Sequence, residues 1–413
     1  MPQSGMLDVG LDGHHESLAV AYLGQDHGAP VVSLGTIGPR QCDLDKRLRQ
    51  LHAKATPLVC VSEAGPCGYG LDRDLTKRGH DCWGVAPSLL PKKAGARGKT
   101  DRRDARHLAR LRRSGELSPV DVPQVDDEAR RARSRAREAR IRELTAAKSR
   151  LKALLRRQDM RSTGQAHWRP AHLRGRAAVV CPTPAQQRGF QEEVRAGTEP
   201  TARLQRLAQA RQERVKTWRL APGVAALQAW RGGQFTVAVT PVAARGDLPR
   251  VPNPKQLRSA LGLTPSEYAS GPRRAQGGIT QTGTRHARRA LGEGAWAYRY
   301  AAKGSRHLQR RLEQLPHPIQ DIRWKAQVRL GKRSRHLMAR GKNANPVVVA
   351  LARELVALMG AVARAMTRPA STPYAAYSLP EGEHRGKPVI GRGAAPVWDT
   401  PRWRYAAARN PRA

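Results

Sequence analysis

A series of short apolar runs near the start most constrains what this chain can fold into. Residues 6–11, 18–23 and 31–34 are each too short for a stable helix, and Gly and Asp separate them, as in a β-meander. Residues 57–63 form a continuous apolar run, the pattern of a strand buried on both faces of a parallel sheet. Between these runs, residues 44–56 read as a short basic helix. Residues 71–77 suit a second helix, and 82–85 another strand. Strands first, then alternating strand and helix, predict an α/β domain over residues 1–115.

Open α/β sheets place their chemistry at the carboxyl ends of their strands. Asp12 follows the first run, and Glu63 ends the run at 57–63, ahead of Ala64, Gly65 and Gly68. Asp8, inside the first run, is a weaker candidate. A third acidic place is Lys99-Thr-Asp-Arg-Arg-Asp-Ala-Arg-His-Leu108, where Thr100 or Asp101 can cap a helix. Asp101 and Asp104, three residues apart, then share one helix face about one turn apart. Two carboxylates among arginines suit a Mg²⁺-dependent enzyme acting on a phosphate backbone. The plainer alternative is a capped helix with an acidic first turn, a turn aspartate before Gly13 and an exposed strand-end glutamate.

Charge narrows the partners. Lys and Arg number 75 against 33 Asp and Glu, a net charge of +42, so the chain would bind a polyanion by counterion release. Arg, Ala, Gly and Pro are abundant together, as a coding bias would make them, so charge alone does not say which nucleic acid. Aromatic residues at 4% are thin for a platform that stacks single strands. Cys42, Cys60, Cys67, Cys82 and Cys181 are odd in number and lack paired spacing, which argues against a disulfide framework or structural zinc. No apolar run approaches the ~18 residues of a membrane span, and no basic-then-apolar leader opens the chain. The expectation is a soluble, cytoplasmic protein with no membrane partner.

Residues 125–160 read as a long charged helix with a seam of Leu144, Ala147, Leu151 and Leu154. Upstream of Arg140 that seam holds Arg and Ala, so pairing there should be weak. A second helix near 200–219 carries Leu204, Ala208, Val215 and Trp218 on one face, and 161–185 looks like a turn-rich connection. These make a helical arm, folded back as a hairpin or paired between subunits. Residues 235–240 fit strand or helix, and 254–261 suit a helix after Asn253. Ser270, between small residues and ahead of Arg273 and Arg274, is a nucleophile aimed at phosphate or a turn serine. Arg285 opens a helix with a basic start. Residues 305–365 are helical, with the apolar face of 346–366 closing a bundle. Residues 367–413 lack any sustained period and read as a disordered basic tail.

In order, these stretches resemble the bacterial insertion-sequence transposases of the DEDD type, which join a RuvC-like, RNase-H-fold domain to a C-terminal serine-bearing domain. Val9-Gly-Leu-Asp-Gly-His-His-Glu16 looks like the first motif, Val61-Ser-Glu-Ala-Gly65 the second, and Lys99-Thr-Asp-Arg-Arg-Asp-Ala105 the third. Gly262-Leu-Thr-Pro-Ser-Glu-Tyr-Ala-Ser-Gly271, with Gly278-Ile-Thr-Gln-Thr-Gly283 and His286-Ala-Arg-Arg289, resembles the C-terminal signature. The resemblance implies an α/β catalytic domain at 1–120, a helical arm at 121–219, a mainly α serine domain at 220–366 and the tail at 367–413. It implies Mg²⁺ held by Asp12, Glu63, Asp101 and Asp104, and Ser270 as the nucleophile that forms a phosphoserine ester with DNA. Arg102, Arg103, Arg273, Arg274 and Arg285 would meet phosphate. Donor and target DNA, a noncoding guide RNA and a homo-oligomer near the nucleoid are implied as partners. Ala269 departs from the family, which often has a second serine there. Pro241 falls where the family shows a helix, and Gly292, Gly304, Gly331 and Gly360 fall in helical stretches. The alternatives are a Mg²⁺-dependent structure-specific nuclease, or a decayed copy that only binds nucleic acid.

Overall fold

The computed structural model describes residues 5–26, 28–65, 69–91, 100–159, 179–251 and 253–367. Cys67, Gly68, Lys99, most of the turn-rich connection and the tail from 368 lie outside them. Five strands form one sheet: β1 (Leu7–Gly13), β2 (Leu18–Gly24), β3 (Val32–Ile37), β4 (Leu58–Glu63) and β5 (Asp81–Val85). Their order is β3-β2-β1-β4-β5. β1, β2 and β3 pair antiparallel, while β1–β4 and β4–β5 are parallel. A three-stranded meander continued by two parallel strands is the RNase-H-like arrangement.

Alternation along the strands sorts side chains between two faces. Leu7, Val9, Leu11, Leu58 and Cys60 pack against Leu44, Leu48 and Leu51 of α1 (Gln41–His52) and Leu75 of α2 (Gly70–Lys77). The opposite face meets α3 (Asp101–Arg113): Val61 packs with Leu108 and Leu111, and Ala19 and Ala21 with Ala105. Small residues line this contact because the helix lies directly on the sheet. A Cβ on Gly10 would stand 2.0 Å from the Ala105 carbonyl oxygen and 2.8 Å from the Ala109 nitrogen.

Three contacts set the direction of α3. Arg112 Nε lies 4.0 Å from Asp8 Oδ1, Gly10 abuts Ala105 and Ala109, and His14 Nε2 lies 4.0 Å from Asp101 Oδ1. As the β1 number rises the α3 number falls, so the helix runs antiparallel to the strand. Its first turn therefore sits at the carboxyl end of β1.

Asp8, the weaker acidic candidate, is fully buried at the other end of this contact. Its Oδ2 accepts from Gln25 Nε2 at 2.7 Å, while Oδ1 has no hydrogen-bond donor. Burial pushes its carboxyl above the ordinary 3.8, more than Arg112, Gln25 and Arg113 pull it down. The folded state thus holds this proton to higher pH than the unfolded chain does. Stability is lost as pH rises from 3.8 through the raised value. Asp8→Asn should therefore melt higher than the parent at pH 7 and lose that advantage below pH 3.8, as paired thermal melts across pH would read.

The arm is a hairpin within the chain. α4 (Val125–Arg157) and α5 (Pro184–Lys216) run antiparallel. Arg150 Nε pairs with Glu193 Oε2 at 3.2 Å, Arg133 donates to the Ala210 carbonyl at 3.4 Å, and Leu151 and Leu155 pack with Phe190. α5 begins well before residue 200. Thr183 and Gln186 form a reciprocal capping box, with Pro184 at the first helical turn, where its missing N–H costs nothing. The arm's base, expected to pair weakly, is held by a buried carboxylate. Asp127 accepts from Trp218 Nε1 at 2.7 Å and Arg219 Nη2 at 2.5 Å, and Arg130 lies over the Trp218 ring. Asp127→Ala strands both donors, though Arg219 is half exposed, so the cost should be about 3 kcal/mol in a urea melt.

The rest is mainly helical: α6 (Ala221–Gln228), α7 (Phe235–Arg245), α8 (Pro254–Ala260), α9 (Arg285–Ala295), α10 (Arg306–Leu312), α11 (His317–Ala339) and α12 (Ala344–Thr367). Residues 235–240 are helix. They are apolar nearly all round, a pattern that does not separate buried helix from buried strand. α7 continues through Pro241, while Gly304 lies in a loop rather than a helix. Contrary to expectation, one described helix, Ala344–Met366, is long and apolar enough to cross a membrane, with 56% of its apolar window buried in the protein. Its Glu354 pairs with Arg329 at 3.2 Å and Arg333 at 2.6 Å on α11, as suits the core helix of a bundle.

Candidate active site

The sheet places the candidate acids. β1 and β4 are in register at Leu11 and Ser62, so Asp12 and Glu63 are the next residues on adjacent parallel strands, about 4.8 Å apart at Cα. Period two puts Asp12 on the face of Gly10, and Glu63 on the face of Val61. Both are the face covered by α3. The first turn of α3 carries Asp101 and Asp104 at the same edge. Thr100 is the cap, its Oγ1 accepting from the Arg103 amide at 3.4 Å. The capping role that the sequence left open between Thr100 and Asp101 therefore falls to Thr100.

Asp12 is 9% exposed, and Glu63, Asp101 and Asp104 are half-buried. The backbone brings two acidic pairs to one edge of one face. Their side chains are not drawn into a ligand set: among the described residues no three His, Cys, Asp or Glu groups lie close enough to hold a metal ion. Arg102 and Arg103 are exposed on the same turn. Arg106, the third arginine of this stretch, instead donates to the Val31 carbonyl at 3.4 Å and ties α3 to the start of β3.

Ser270 ends a strand that the sequence did not reveal. β6 (Pro265–Ser270) and β7 (Arg273–Ile279) form a hairpin whose turn is Gly271-Pro272, with Gly271 at φ 56°. Nearly all its residues are exposed, so no apolar alternation marks them as strands. The glycines of the motif root it. Gly262, at φ 63°, would place a Cβ 2.1 Å from the Thr282 carbonyl oxygen, and Gly283, at φ 72°, one 2.2 Å from that of Ala260. Ser270 and Arg273 pair across the turn. Arg274 is held by Glu267, Nε to Oε1 at 2.5 Å and Nη2 to Oε2 at 2.9 Å, so its charge is already matched within the hairpin. Ser266 donates to the Gly278 carbonyl, a structural task. Arg273 and Arg285 are exposed. The Ser270 hydroxyl hydrogen-bonds to none of the four acids among the described residues.

Sequence reasoning missed the link between hairpin and arm. Glu138 of α4 bonds to His286 Nδ1 and lies 3.6 Å from Arg289 Nη1, both on α9, just after the hairpin. The signal was present, since His286 and Arg289 close the C-terminal signature.

Two family models match this chain. One describes a DEDD-type transposase of the IS110 group and covers residues 9–158, including all four acids. The other describes the transposase IS116/IS110/IS902 family and covers 224–310, including Ser270, Arg273, Arg274 and Arg285. The chain is 37% identical over 356 residues to "Putative transposase y4qE" of Sinorhizobium fredii, covering 86% of this chain and 88% of that one. It is 25% identical to "Transposase for insertion sequence element IS1533" of Leptospira borgpetersenii, over 81% of this chain and 97% of that one.

Proposed function

We propose, from the premise that this chain belongs to the IS110 family of insertion-sequence transposases, that it breaks and rejoins DNA through Ser270, with Asp12, Glu63, Asp101 and Asp104 as carriers of Mg²⁺. The observation that carries this reading is the placement of Asp12 and Glu63 at the ends of neighbouring parallel strands, under the first turn of α3. Four carboxylates are hard oxygen donors and suit Mg²⁺ over softer metals. The bound ion would supply charge stabilisation to the phosphate under attack.

The covalent step conserves bonds. Ser270 Oγ loses its proton and bonds to phosphorus, one deoxyribose oxygen leaves that phosphorus, and the departing oxygen takes up a proton. Rejoining reverses the step on a new strand, so no ATP is consumed. Arg273, Arg102 and Arg103 neutralise backbone charge, and Arg285 does so at the foot of the hairpin. Arg274 orients the hairpin through Glu267 and meets phosphate only by exchanging that partner. Because Ser270 stands on an exposed hairpin, the composite site closes on assembly, with a second copy or bound DNA bringing serine to acids. A noncoding guide RNA alongside donor and target DNA suits a charge of +42.

The test is an in vitro reaction with Mg²⁺, the flanking noncoding RNA and both DNAs, resolved on a denaturing gel. The parent should give a protein–DNA adduct and Ser270→Ala none. An adduct from Ser270→Ala removes the serine from the mechanism. Free DNA ends with no trapped protein favour a nuclease that uses the acids alone.

A further inference from the structure

Aromatic residues are scarce in this chain, yet several stand on one exposed surface of the serine-bearing region. After α9 the chain makes a short 3₁₀ turn, Trp296–Arg299. Tyr298 points inward and is fully buried, while Trp296 is 37% and Tyr300 54% exposed. The Arg299 guanidinium lies between them, 5.7 Å from the Trp296 ring centre and 4.6 Å from that of Tyr300, and donates to the Tyr300 hydroxyl at 2.5 Å. Arg231 also lies over the Tyr300 ring, 5.8 Å from its centre, and is anchored by the Ala301 carbonyl. α11 packs beneath this turn, with Gln327 donating to the Lys303 carbonyl at 3.0 Å and Gly331 close to the Tyr298 and Tyr300 carbonyls. On the adjoining flank of α11, Trp324 is 48% exposed and Val328, one turn on, 44%. Exposed rings therefore alternate with guanidinium groups along one strip, and Arg231 and Arg299 are held in place by hydrogen bonds.

We infer that this strip, Trp296, Arg299, Tyr300 and Arg231, is a stacking site for unpaired nucleotides of a DNA strand. Two arguments select that occupant. First, guanidinium groups lie over the exposed rings, a layered surface of ring and guanidinium. Unstacked bases use such a surface, and a paired duplex, whose base faces are covered, does not. Second, the charge is one-sided. From Gly294 to Leu312 there is no Asp or Glu, while Arg299, Lys303, Arg306, Arg310 and Arg311 all fall there. A second copy of the same strip would bring like charges together, whereas a phosphate backbone complements it. DNA is the substrate of a transposase, and strand breakage and exchange leave nucleotides unpaired; the strip lies at the far end of α9 from the hairpin. The site deepens the function proposed above and rests on that reading only in taking DNA as the occupant. It needs neither Ser270 chemistry nor metal.

The experiment uses the full chain without Mg²⁺, so cleavage does not enter. Fluorescence anisotropy at one fixed salt concentration compares labelled oligo-dT, oligo-U and a blunt DNA duplex. Tyr300→Ala should weaken oligo-dT binding about tenfold, with duplex binding unchanged. Tyr300→Phe, which keeps the ring and loses the hydroxyl, should bind like the parent. Trp296→Ala should add a further loss of similar size; if it fails to fold, the exposed Tyr300 pair decides alone. Equal weakening on duplex and oligo-dT would overturn the proposal and leave a general electrostatic surface. Loss on oligo-U alone would make the occupant RNA and overturn it too. Unchanged binding with a smaller oligomer in sedimentation would make the strip a contact between copies, again overturning it. Adduct formation on Ser270 is scored separately, so failure here leaves the serine mechanism standing, and the reverse.

Discussion

Replacing Asp12 with asparagine should leave the chain folded and slow the proposed Mg²⁺-dependent strand cleavage by roughly a thousandfold, the worth of several kcal/mol of charge stabilisation at a metal site. Asn fills the same volume at the end of β1 and keeps an acceptor, so a thermal melt should move little. Glu63→Gln, on the neighbouring parallel strand, should do the same. The double variant should be scarcely worse than either single, because ligands of one ion, as proposed for these two, act as a unit. Asp8→Asn supplies the control. It lies on the same strand and face, but at the far end of α3, beside Arg112. It should keep cleavage while raising stability at neutral pH. If Asp8→Asn and Asp12→Asn lose cleavage alike, the acids matter for the fold and not for an ion.

Gly10→Ala should have the largest effect on the fold. Its Cβ would stand 2.0 Å from the Ala105 carbonyl oxygen, an atom of helix backbone that no rotamer change can move aside. Sheet and helix must separate, and overpacking against backbone belongs at the upper end of such costs, roughly 3 kcal/mol or more. Whatever folds should also be inactive, since lifting α3 carries Asp101 and Asp104 away from Asp12. Displacing catalytic groups by about 1 Å costs on the order of a hundredfold. Gly13→Ala is the matched comparison: its nearest neighbour is Leu18 Cδ1 at 3.7 Å, ordinary contact. Urea unfolding followed by circular dichroism should show a large loss for the first and almost none for the second.

Much of this was legible because the signals are local. The strands at 7–13, 18–24 and 58–63 announce themselves as short apolar runs broken by Gly and Asp. The acids stand where such runs end. Asn253 and Thr100 cap the helices that follow them. The hairpin carrying Ser270 was not legible, since an exposed two-stranded ribbon of Ser, Glu, Arg and Gly has no apolar alternation and is held by backbone pairing and by Gly262 and Gly283 at its root. The start of α5 at Pro184 differs from the expected start near 200 for another reason. Prolines near a run of polar residues suggest a turn, but the Thr183-x-x-Gln186 box with Pro184 at the first helical position is a local helix-start signal that outweighs them.

The strip at Trp296, Arg299, Tyr300 and Arg231 shows the same limit. Arg231 is 65 or more residues distant from the others in the chain, and a 4% aromatic content argued against any stacking surface. Only packing decides which few rings stay outside. The pairing of Arg274 with Glu267, of Glu138 with His286, and of Asp127 with Trp218 and Arg219 are likewise facts of proximity.

The sequence by itself determined most of the elements outside residues 235–240 and the hairpin at 265–279, the family, and the five residues on which the chemistry is proposed to rest, because turn chemistry, apolar period and motif order are properties of neighbours along the chain. Tertiary structure alone decided that the acids share one edge. That depends on β1 and β4 pairing parallel in a given register, on α3 crossing antiparallel over a glycine, and on the side chains alternating so that Asp12 and Glu63 face the same helix. Those are contacts between residues some 50 to 100 positions apart, and no local periodicity encodes which partner a strand edge or a helix face will meet.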